Sequence, residues 1–171
     1  MTQPVVEALT ARYFLQRGYL VWTDLAIDEG YNGDIDVLAC NAKELVFVEC
    51  KDNKVDKPTK LLEQMKRAVA HLKSKACEHN ALARSLPVRV VLVLPKLDCS
   101  PARWRGINAL MKAESIEVLD ADEVIKDVVK RERELLNLRR GGRGRLGPYG
   151  HQPDTLLNFI KWLVDRDYLK V

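Results

Sequence analysis

The 171-residue sequence predicts an α/β sandwich, in which helices cover both faces of a mixed sheet. One observation behind this is the order of helical and strand-like segments, α-β-β-β-α-β-α-β-α. Another is the segment VRVVLVL at residues 88–94, because a nearly continuous apolar run is typical of a central strand covered on both faces. A third is a short polar link between two strand-like segments. It indicates an antiparallel hairpin, joined to strands that are reached through crossover helices.

The first half of the chain contains a leading helix, three strands and a second helix. Gly18 suits the end of the leading helix, and Pro58 suits the first turn of the second. Apolar residues recur at helical spacing in both helices. The predicted bounds are helix 4–17, strand 19–23, polar loop 24–33, strands 34–40 and 44–51, and a helix that begins near Asp56 or Lys57.

The second half alternates strands with helices and ends in an extension. Ser100 and Pro101 are a good helix start, and Asp120 with Glu123 resembles a capping box. The predicted bounds are strand 88–94, helix 100–113, strand 116–119, a helix after Asp120, a linker at 139–153 and a last helix at 154–167. The expected organisation is therefore a main domain over 1–138, a basic linker over 139–153 and a C-terminal helix within 154–171.

A glycine-rich basic segment carries the net charge of the chain. The sequence RRGGRGR, residues 139–145, contains four arginines and no acid, and the whole chain has a net charge of +4. The rest of the chain is therefore formally neutral. Such a segment is typical of a nucleic-acid contact and also of a mobile solvated loop. The residues expected to contact DNA are Arg139, Arg140, Arg143 and Arg145.

Composition and motifs exclude several classes of protein. With 47% hydrophobic and 30% charged residues, the chain resembles an ordinary soluble domain. It has no apolar run of the roughly 18 residues that span a membrane and no signal peptide, so we expect a cytoplasmic protein. Its four cysteines form no CxxC pair, which disfavours a zinc ribbon.

The predicted hairpin brings acidic residues together. If the turn is centred between Ala42 and Lys43, residues that face each other have numbers that add up to 85. Asp36 then faces Glu49, and Asp34 faces Lys51. Side chains alternate along a strand, so these four share one face. Leu38 and Phe47 lie on that face too, and the opposite face is apolar throughout, with Ile35, Val37, Ala39, Val46, Val48 and Cys50.

The pairing of Asp36 with Glu49 is unfavourable without a cation. At ~5 Å and an effective dielectric of about 20, the repulsion is about 3 kcal/mol, whereas strand preferences span only ~1 kcal/mol. A hard divalent cation such as Mg²⁺ binds carboxylate oxygens and would relieve the repulsion. The alternative is a solvated polar face on which the acids spread apart and Lys51 forms a simple ion pair.

The two hairpin segments resemble a known nuclease core. GDIDVLA at 33–39 and VFVECK at 46–51 are similar to the PD-(D/E)xK nuclease superfamily. More narrowly, they resemble archaeal Holliday-junction resolvases and Mrr-type restriction endonucleases. The resemblance spans roughly residues 4–130, although Ile35 stands where the family has its name-giving proline. It implies a restriction-endonuclease-like αβββαβ sandwich, here with a small C-terminal helical extension.

The resemblance also implies roles for particular residues. Asp36, Glu49 and the backbone carbonyl of Cys50 would hold Mg²⁺ or Mn²⁺, and Lys51 would position or activate water. Glu7 would support the metal or the water from the first helix, and Asp34 would ligate at the edge of the site or tune Lys51.

Two parts of this assignment have structural alternatives. Glu7 would otherwise be only an acid that favours the first turn of a helix. Gln64 matches a glutamine on the helix after the hairpin, where it lies on one stripe with Lys60 and Arg67. That stripe either contacts DNA or is a solvated helix edge.

The expected function is a metal-dependent DNA endonuclease, structure-selective or restriction-like, with a role in DNA repair or restriction. The alternatives are an exonuclease or RNase of the same fold, and a catalytically silent DNA-binding module. DNA is the expected partner. A junction resolvase would be a two-fold symmetric homodimer, and the last helix, 154–167, would then either meet a second copy or pack on its own domain.

Overall fold

The computed structural model describes residues 5–26, 34–52, 55–79, 85–96 and 99–141. The chain divides into two units, Met1–Ile125 and Lys126–Val171. The elements, in chain order, are α1 (Val5–Leu15), β1 (Leu20–Ala26), β2 (Asp34–Cys40), β3 (Leu45–Cys50), α2 (Pro58–His79), β4 (Val88–Leu94), α3 (Pro101–Ala113), β5 (Ile116–Asp120) and α4 (Ala121–Gly141).

The five strands form one mixed sheet in the order β1-β2-β3-β4-β5. The pairs β1–β2 and β2–β3 are antiparallel, and the pairs β3–β4 and β4–β5 are parallel. Short links permit the antiparallel pairs, while the crossover helices α2 and α3 connect the parallel ones. The predicted fold class, an α/β sandwich with a mixed sheet, is confirmed.

A separate apolar cluster covers each face of the sheet. On one face, residues of the sheet such as Phe47 and Leu92 pack with α2 and α3. On the other, α1 and the start of α4 pack against a second set of strand residues. Val91 and Leu92 are neighbours in β4 that belong to different clusters, and both are fully buried. Residues 88–94 therefore form the central strand that their apolar run predicts.

The β2–β3 hairpin has the predicted register. Its paired residues run from Val37 with Val48 to Cys40 with Leu45, and each pair of numbers adds up to 85. The turn is held by the Asn41 side chain, whose Oδ1 accepts hydrogen bonds from the backbone N–H groups of Lys43 (2.8 Å) and Glu44 (3.0 Å). This local bond fixes the turn, and the turn fixes the register.

Strand β1 is longer than the sequence indicates. The predicted strand 19–23 and loop 24–33 are wrong at their junction, because β1 continues to Ala26. Asp24 has a φ of 52°, in the left-handed region that aspartate tolerates better than most residues. Pairing resumes on its far side, where Leu25 pairs with Ile35.

Ile35 also departs from the predicted packing. Alternation along β2 predicts that it lies among the apolar residues that face α1, but it packs in the cluster with α2 and α3, as does its partner Leu25. Asp24, whose backbone is left-handed, lies between the pairs Thr23–Val37 and Leu25–Ile35, and regular alternation is interrupted there.

The last described helix, α4, runs to Gly141. Arg139 and Arg140 therefore continue the helix, whereas the sequence pattern predicts a linker from residue 139. Arginine is a strong helix former, and the pattern-based boundary gives more weight to the glycines that follow. The rest of the predicted linker and the predicted helix 154–167 lie outside the described residues. None of the described helices is long and apolar enough to cross a membrane.

Candidate active site

The β2–β3 ladder opens at the end where the predicted acids lie. Its last pair is Val37 with Val48, one step short of Asp36 and Glu49. The carboxylate of Asp36 instead accepts a hydrogen bond from the backbone N–H of Cys50, with an Oδ2–N distance of 2.6 Å. The structure thus holds Asp36 against the end of β3 by a charge-assisted bond.

Glu49 and Lys51 form an ion pair at the end of β3. The Lys51 Nζ lies 2.5 Å from Glu49 Oε1, and both side chains are partly buried. Lys51 is anchored through its backbone, because its N–H donates to the Val93 carbonyl of β4 at 2.9 Å. The ammonium group is therefore held next to the two acids.

The pKa values of both acids are raised. For Asp36 the main cause is burial, which the Cys50 N–H and the charge of Lys51 offset only in part. For Glu49, burial again raises the pKa most, and the charge of Asp36 raises it further. Two carboxylates that repel each other in a partly desolvated place are a favourable position for a cation.

Lys51 stays protonated at neutral pH. Burial lowers the pKa of its ammonium group, but the neighbouring charges of Glu49 and Asp36 outweigh that effect, so the pKa is raised. A lysine in this state donates hydrogen bonds and acts as a fixed positive charge; it does not act as a base.

The carbonyl of Cys50 points into the same region. In an extended strand, the N–H and C=O of one residue face the same neighbouring strand. The Cys50 N–H bonds to Asp36 on the β2 side, whereas the next N–H, of Lys51, bonds to β4. The Cys50 carbonyl therefore faces Asp36 and can serve as a third oxygen donor.

Two further acids that the sequence did not single out lie close enough to act on Asp36. The charges of Asp24 and Asp52 both raise the pKa of Asp36, after burial as the main cause. Asp52 directly follows Lys51 in the sequence, and that adjacency is a signal that could have found it. Asp24 is itself the left-handed residue. It comes opposite Asp36 because β1 continues past it, and no local sequence pattern indicates this.

The first turn of α1 lies beside the end of β3. Asp52 Oδ1 accepts a hydrogen bond of 3.2 Å from the backbone N–H of Val6, and this ties the helix start to the segment after Lys51. The next residue, Glu7, is 3% exposed. Burial is the main cause of the raised pKa of the Cys50 thiol, and the charge of Glu7 contributes to it.

The remaining predicted residues lie on exposed surfaces. Lys60, Gln64 and Arg67 are on the exposed side of α2, opposite the residues of that helix that pack in the core. Asp34 is exposed at the start of β2, where it pairs with Ala26. The described contact of Lys51 is with Glu49, and the predicted roles of Asp34 and the α2 residues stay predictions.

Arg103, near the start of α3, contacts the described residues that directly precede α2. Its Nη2 donates to the backbone carbonyl of Val55 and lies 3.5 Å from Asp56 Oδ1. Val55 is buried in the core cluster. These contacts tie the start of α2 to α3.

The donor set fits Mg²⁺ or Mn²⁺. Among the described residues, no group of three or more His, Cys, Asp or Glu side chains could hold a metal. The site instead offers two carboxylates and a backbone carbonyl. Mg²⁺ is usually held by one or two carboxylates and completes its shell with water or substrate phosphate, so a complete cage of side chains is not required.

Comparisons with known proteins find similarity among solved structures. No protein-family model matches the sequence, and no curated protein matches it. Among solved structures, the chain is similar to the small subunit of the heterodimeric restriction endonuclease R.BspD6I. The TM-score is 0.45 and the identity 16%, over 95% of this chain and 80% of that chain. The assignment of the fold rests on the strand order and register described above.

Replacing Asp36 with asparagine should stabilise the protein in the absence of divalent metal. The pKa of the Asp36 carboxyl is raised in the folded protein. Its contribution to stability is therefore fully present below the ordinary pKa of 3.8. That contribution is lost as the pH rises through the raised pKa of the folded state. At neutral pH, Asp36→Asn should therefore raise the free energy of unfolding by roughly 1 kcal/mol. The gain should vanish below the ordinary pKa.

Urea denaturation in EDTA at several pH values measures this effect. The matched control is Asp34→Asn, which removes an exposed charge from the same strand and should give no such gain. A loss of stability in Asp36→Asn at neutral pH would contradict this electrostatic account.

Proposed function

We propose that this chain is a metal-dependent endonuclease that hydrolyses phosphodiester bonds in DNA. The observation that carries the proposal is the grouping of Asp36, Glu49 and Lys51 at the open end of the β2–β3 hairpin. The two carboxyl groups there have raised pKa values. The lysine beside them is protonated and forms an ion pair with Glu49. Paired acids with a lysine suit a reaction in which negative charge develops on a phosphate.

Asp36, Glu49 and the Cys50 carbonyl would hold one Mg²⁺ or Mn²⁺. When bound, such an ion lowers the pKa of a coordinated water and neutralises charge on the phosphate. Asp36 is kept in place for this role by the Cys50 N–H. Glu7, in the first turn of α1, would support the water or a further ligand at the same end of the sheet.

Lys51 would contact the attacking water or the scissile phosphate. Its ion pair with Glu49 orients the ammonium group, and its raised pKa keeps the group charged. A fixed cation in a partly buried position stabilises developing negative charge more strongly than one in bulk water. Lys51 thus complements the two acids, because it acts on the substrate while they hold the metal.

Basic residues outside the site would bind the phosphate backbone. Lys60 and Arg67 lie on the exposed side of α2, and the arginines of the segment 139–145 add four positive charges. Phosphate contacts supply affinity without reading sequence. Within the class of DNA endonucleases, we propose a structure-selective or restriction-like enzyme.

Neutralising Arg139, Arg140, Arg143 and Arg145 should weaken binding to all DNA substrates to a similar extent. The slope of log affinity against log salt should fall by ~0.9 for each phosphate contact that is lost. A salt titration of duplex and junction binding in EDTA measures both effects, with glutamine as the replacement. An unchanged slope would mean that the segment does not contact DNA.

One cleavage assay tests the proposed function. A four-way junction, a linear duplex, a single strand, a methylated duplex and an RNA strand are incubated with the full chain in Mg²⁺ and in EDTA. The proposal expects internal cuts in at least one DNA substrate, in Mg²⁺ only. Cuts only at the ends of DNA would indicate an exonuclease, and cuts only in RNA would indicate an RNase; either result would contradict the proposed DNA endonuclease. Binding without any cleavage would leave a DNA-binding module.

A further inference from the structure

Two large apolar side chains are exposed on strand β1. Leu20 is 66% exposed and Trp22 is 46% exposed, and they are two residues apart on the strand. Within the described sheet, β1 is an edge strand. Residues two apart on a strand lie on the same face, so Leu20 and Trp22 together form one exposed apolar surface.

Trp22 lies in a row of side chains that continues into the core. Trp22 pairs with Leu38, and Leu38 pairs with Phe47. Leu38 and Phe47 both pack in the cluster with α2 and α3. Side chains of paired residues are on the same face of a sheet, so Trp22 is the uncovered end of a row that the helices otherwise cover.

The candidate active site occupies the next position along the strands. Asp36 is two residues from Leu38 on β2, and Leu38 pairs with Trp22, so Asp36 and Trp22 are diagonal neighbours on adjacent strands. Diagonal neighbours on adjacent strands are about 7–8 Å apart. Stacked nucleotides of a DNA duplex are separated by about 3.4 Å along the helix axis, and an unstacked strand is longer per nucleotide. A nucleic acid with a phosphate at Asp36 therefore has a base within about two nucleotides that can reach Trp22.

We propose that Trp22, flanked by Leu20, is a stacking surface for an unpaired nucleobase next to the scissile phosphate. This rests on the proposed function and narrows its substrate to DNA with unstacked bases at the cleavage point. In a continuous duplex the flat faces of the bases are already stacked, so only an unpaired, splayed or terminal base offers a face to tryptophan. The indole supplies the large aromatic surface that such stacking needs.

A second copy of the chain fits this surface less well. A specific protein interface buries at least about 1,200 Å², which is far more than two side chains provide. The neighbouring position also carries the acids Asp24 and Asp36, and two copies related by a two-fold axis would bring like charges close together. A substrate whose phosphate is reached through a metal ion avoids that repulsion.

Binding is compared in EDTA, because no cleavage occurs there and all the proteins compared carry the same acids, so the repulsion of phosphate without metal affects each of them equally. Fluorescence anisotropy compares a labelled single-stranded oligonucleotide with its complete duplex, for the full-length wild type, Trp22→Ala, Trp22→Leu and Trp22→Phe. Removing the aromatic ring should weaken single-strand binding about tenfold, and phenylalanine should retain most of it. Duplex binding should stay unchanged. Leu15→Ala removes a side chain that is 48% exposed on α1 and is the matched control.

Three results would overturn the inference. Equal single-strand binding by Trp22→Leu and Trp22→Phe would mean that only apolar area matters, and it would exclude stacking. Equal loss of single-strand and duplex binding would exclude selectivity for unpaired bases. A shift in solution mass from dimer to monomer on replacing Trp22 would identify the surface as a contact between copies. If Trp22→Ala fails to fold, the comparison of leucine with phenylalanine still decides.

The experiments distinguish a failure of the stacking surface from a failure of the proposed nuclease function. In EDTA, Asp36→Asn should bind the single strand at least as tightly as the wild type, because it removes a charge that repels phosphate, while it no longer cuts in Mg²⁺. Cleavage by the wild type without a role of Trp22 in binding would overturn only the stacking surface. Binding that depends on Trp22, in a protein that never cleaves, would overturn only the nuclease.

Discussion

Glu49→Gln and Asp36→Asn are each expected to lower Mg²⁺-dependent DNA cleavage by at least about 100-fold, the scale on which one electrostatic partner of a transition state acts. Both substitutions keep the size of the side chain and remove its charge. Asparagine at position 36 can still accept the hydrogen bond from Cys50, so the end of β3 should keep its shape. DNA binding in EDTA should not be weakened, because each substitution removes a negative charge that repels phosphate.

Initial cleavage rates on the best substrate of the panel measure this effect. Glu63→Gln is the control, since it removes one acid from the exposed side of α2 and should leave the rate unchanged. Normal Mg²⁺-dependent cleavage by either Asp36→Asn or Glu49→Gln would exclude this site.

Lys51→Met should also lower cleavage by about 100-fold or more, but with a different signature. Its ammonium group lies 2.5 Å from Glu49 and repels any metal ion held there. Removing the ammonium group should preserve or tighten the binding of Mn²⁺. It should also remove the positive charge that stabilises the reacting phosphate. Loss of cleavage together with retained metal binding is the expected result.

Calorimetric titration with Mn²⁺ next to the cleavage assay separates these roles. Lys51→Arg keeps the charge but changes its shape, so it should retain more activity than methionine. If Lys51→Met loses metal binding together with cleavage, the lysine supports the structure of the site and has no separate role toward the substrate.

The hairpin could be predicted from the sequence because its determinants are local. The short link between Cys40 and Leu45 fixes the register, and alternation then decides which residues near the turn share a face. The structure has the predicted register from Val37 with Val48 to Cys40 with Leu45, and the predicted partners Asp36 and Glu49 lie one step beyond the ladder. The central strand was equally clear, since a continuous apolar run is typical of a strand that is covered on both faces.

The details of the site could not be predicted because they depend on contacts between distant segments. The bond from the Cys50 N–H to Asp36 replaces a strand pair that alternation alone would expect. Asp24 lies near the site because β1 continues past it, although its own backbone is left-handed. The tie between Val6 and Asp52 joins segments 46 positions apart, and no periodicity encodes such a contact.

The melting temperature of the metal-free protein with and without added Mg²⁺ or Mn²⁺ tests the central claim most directly, because it requires no knowledge of the substrate. A ligand at 100 times its Kd stabilises by about 2.7 kcal/mol, and each kcal/mol shifts the melting temperature of a chain of this size by roughly 2–4 °C. The account predicts a rise of several degrees at millimolar metal in the wild type and in Glu63→Gln, and a much smaller rise in Asp36→Asn and Glu49→Gln. A melting temperature that neither metal changes in the wild type, or an equal rise in all four proteins, would contradict it.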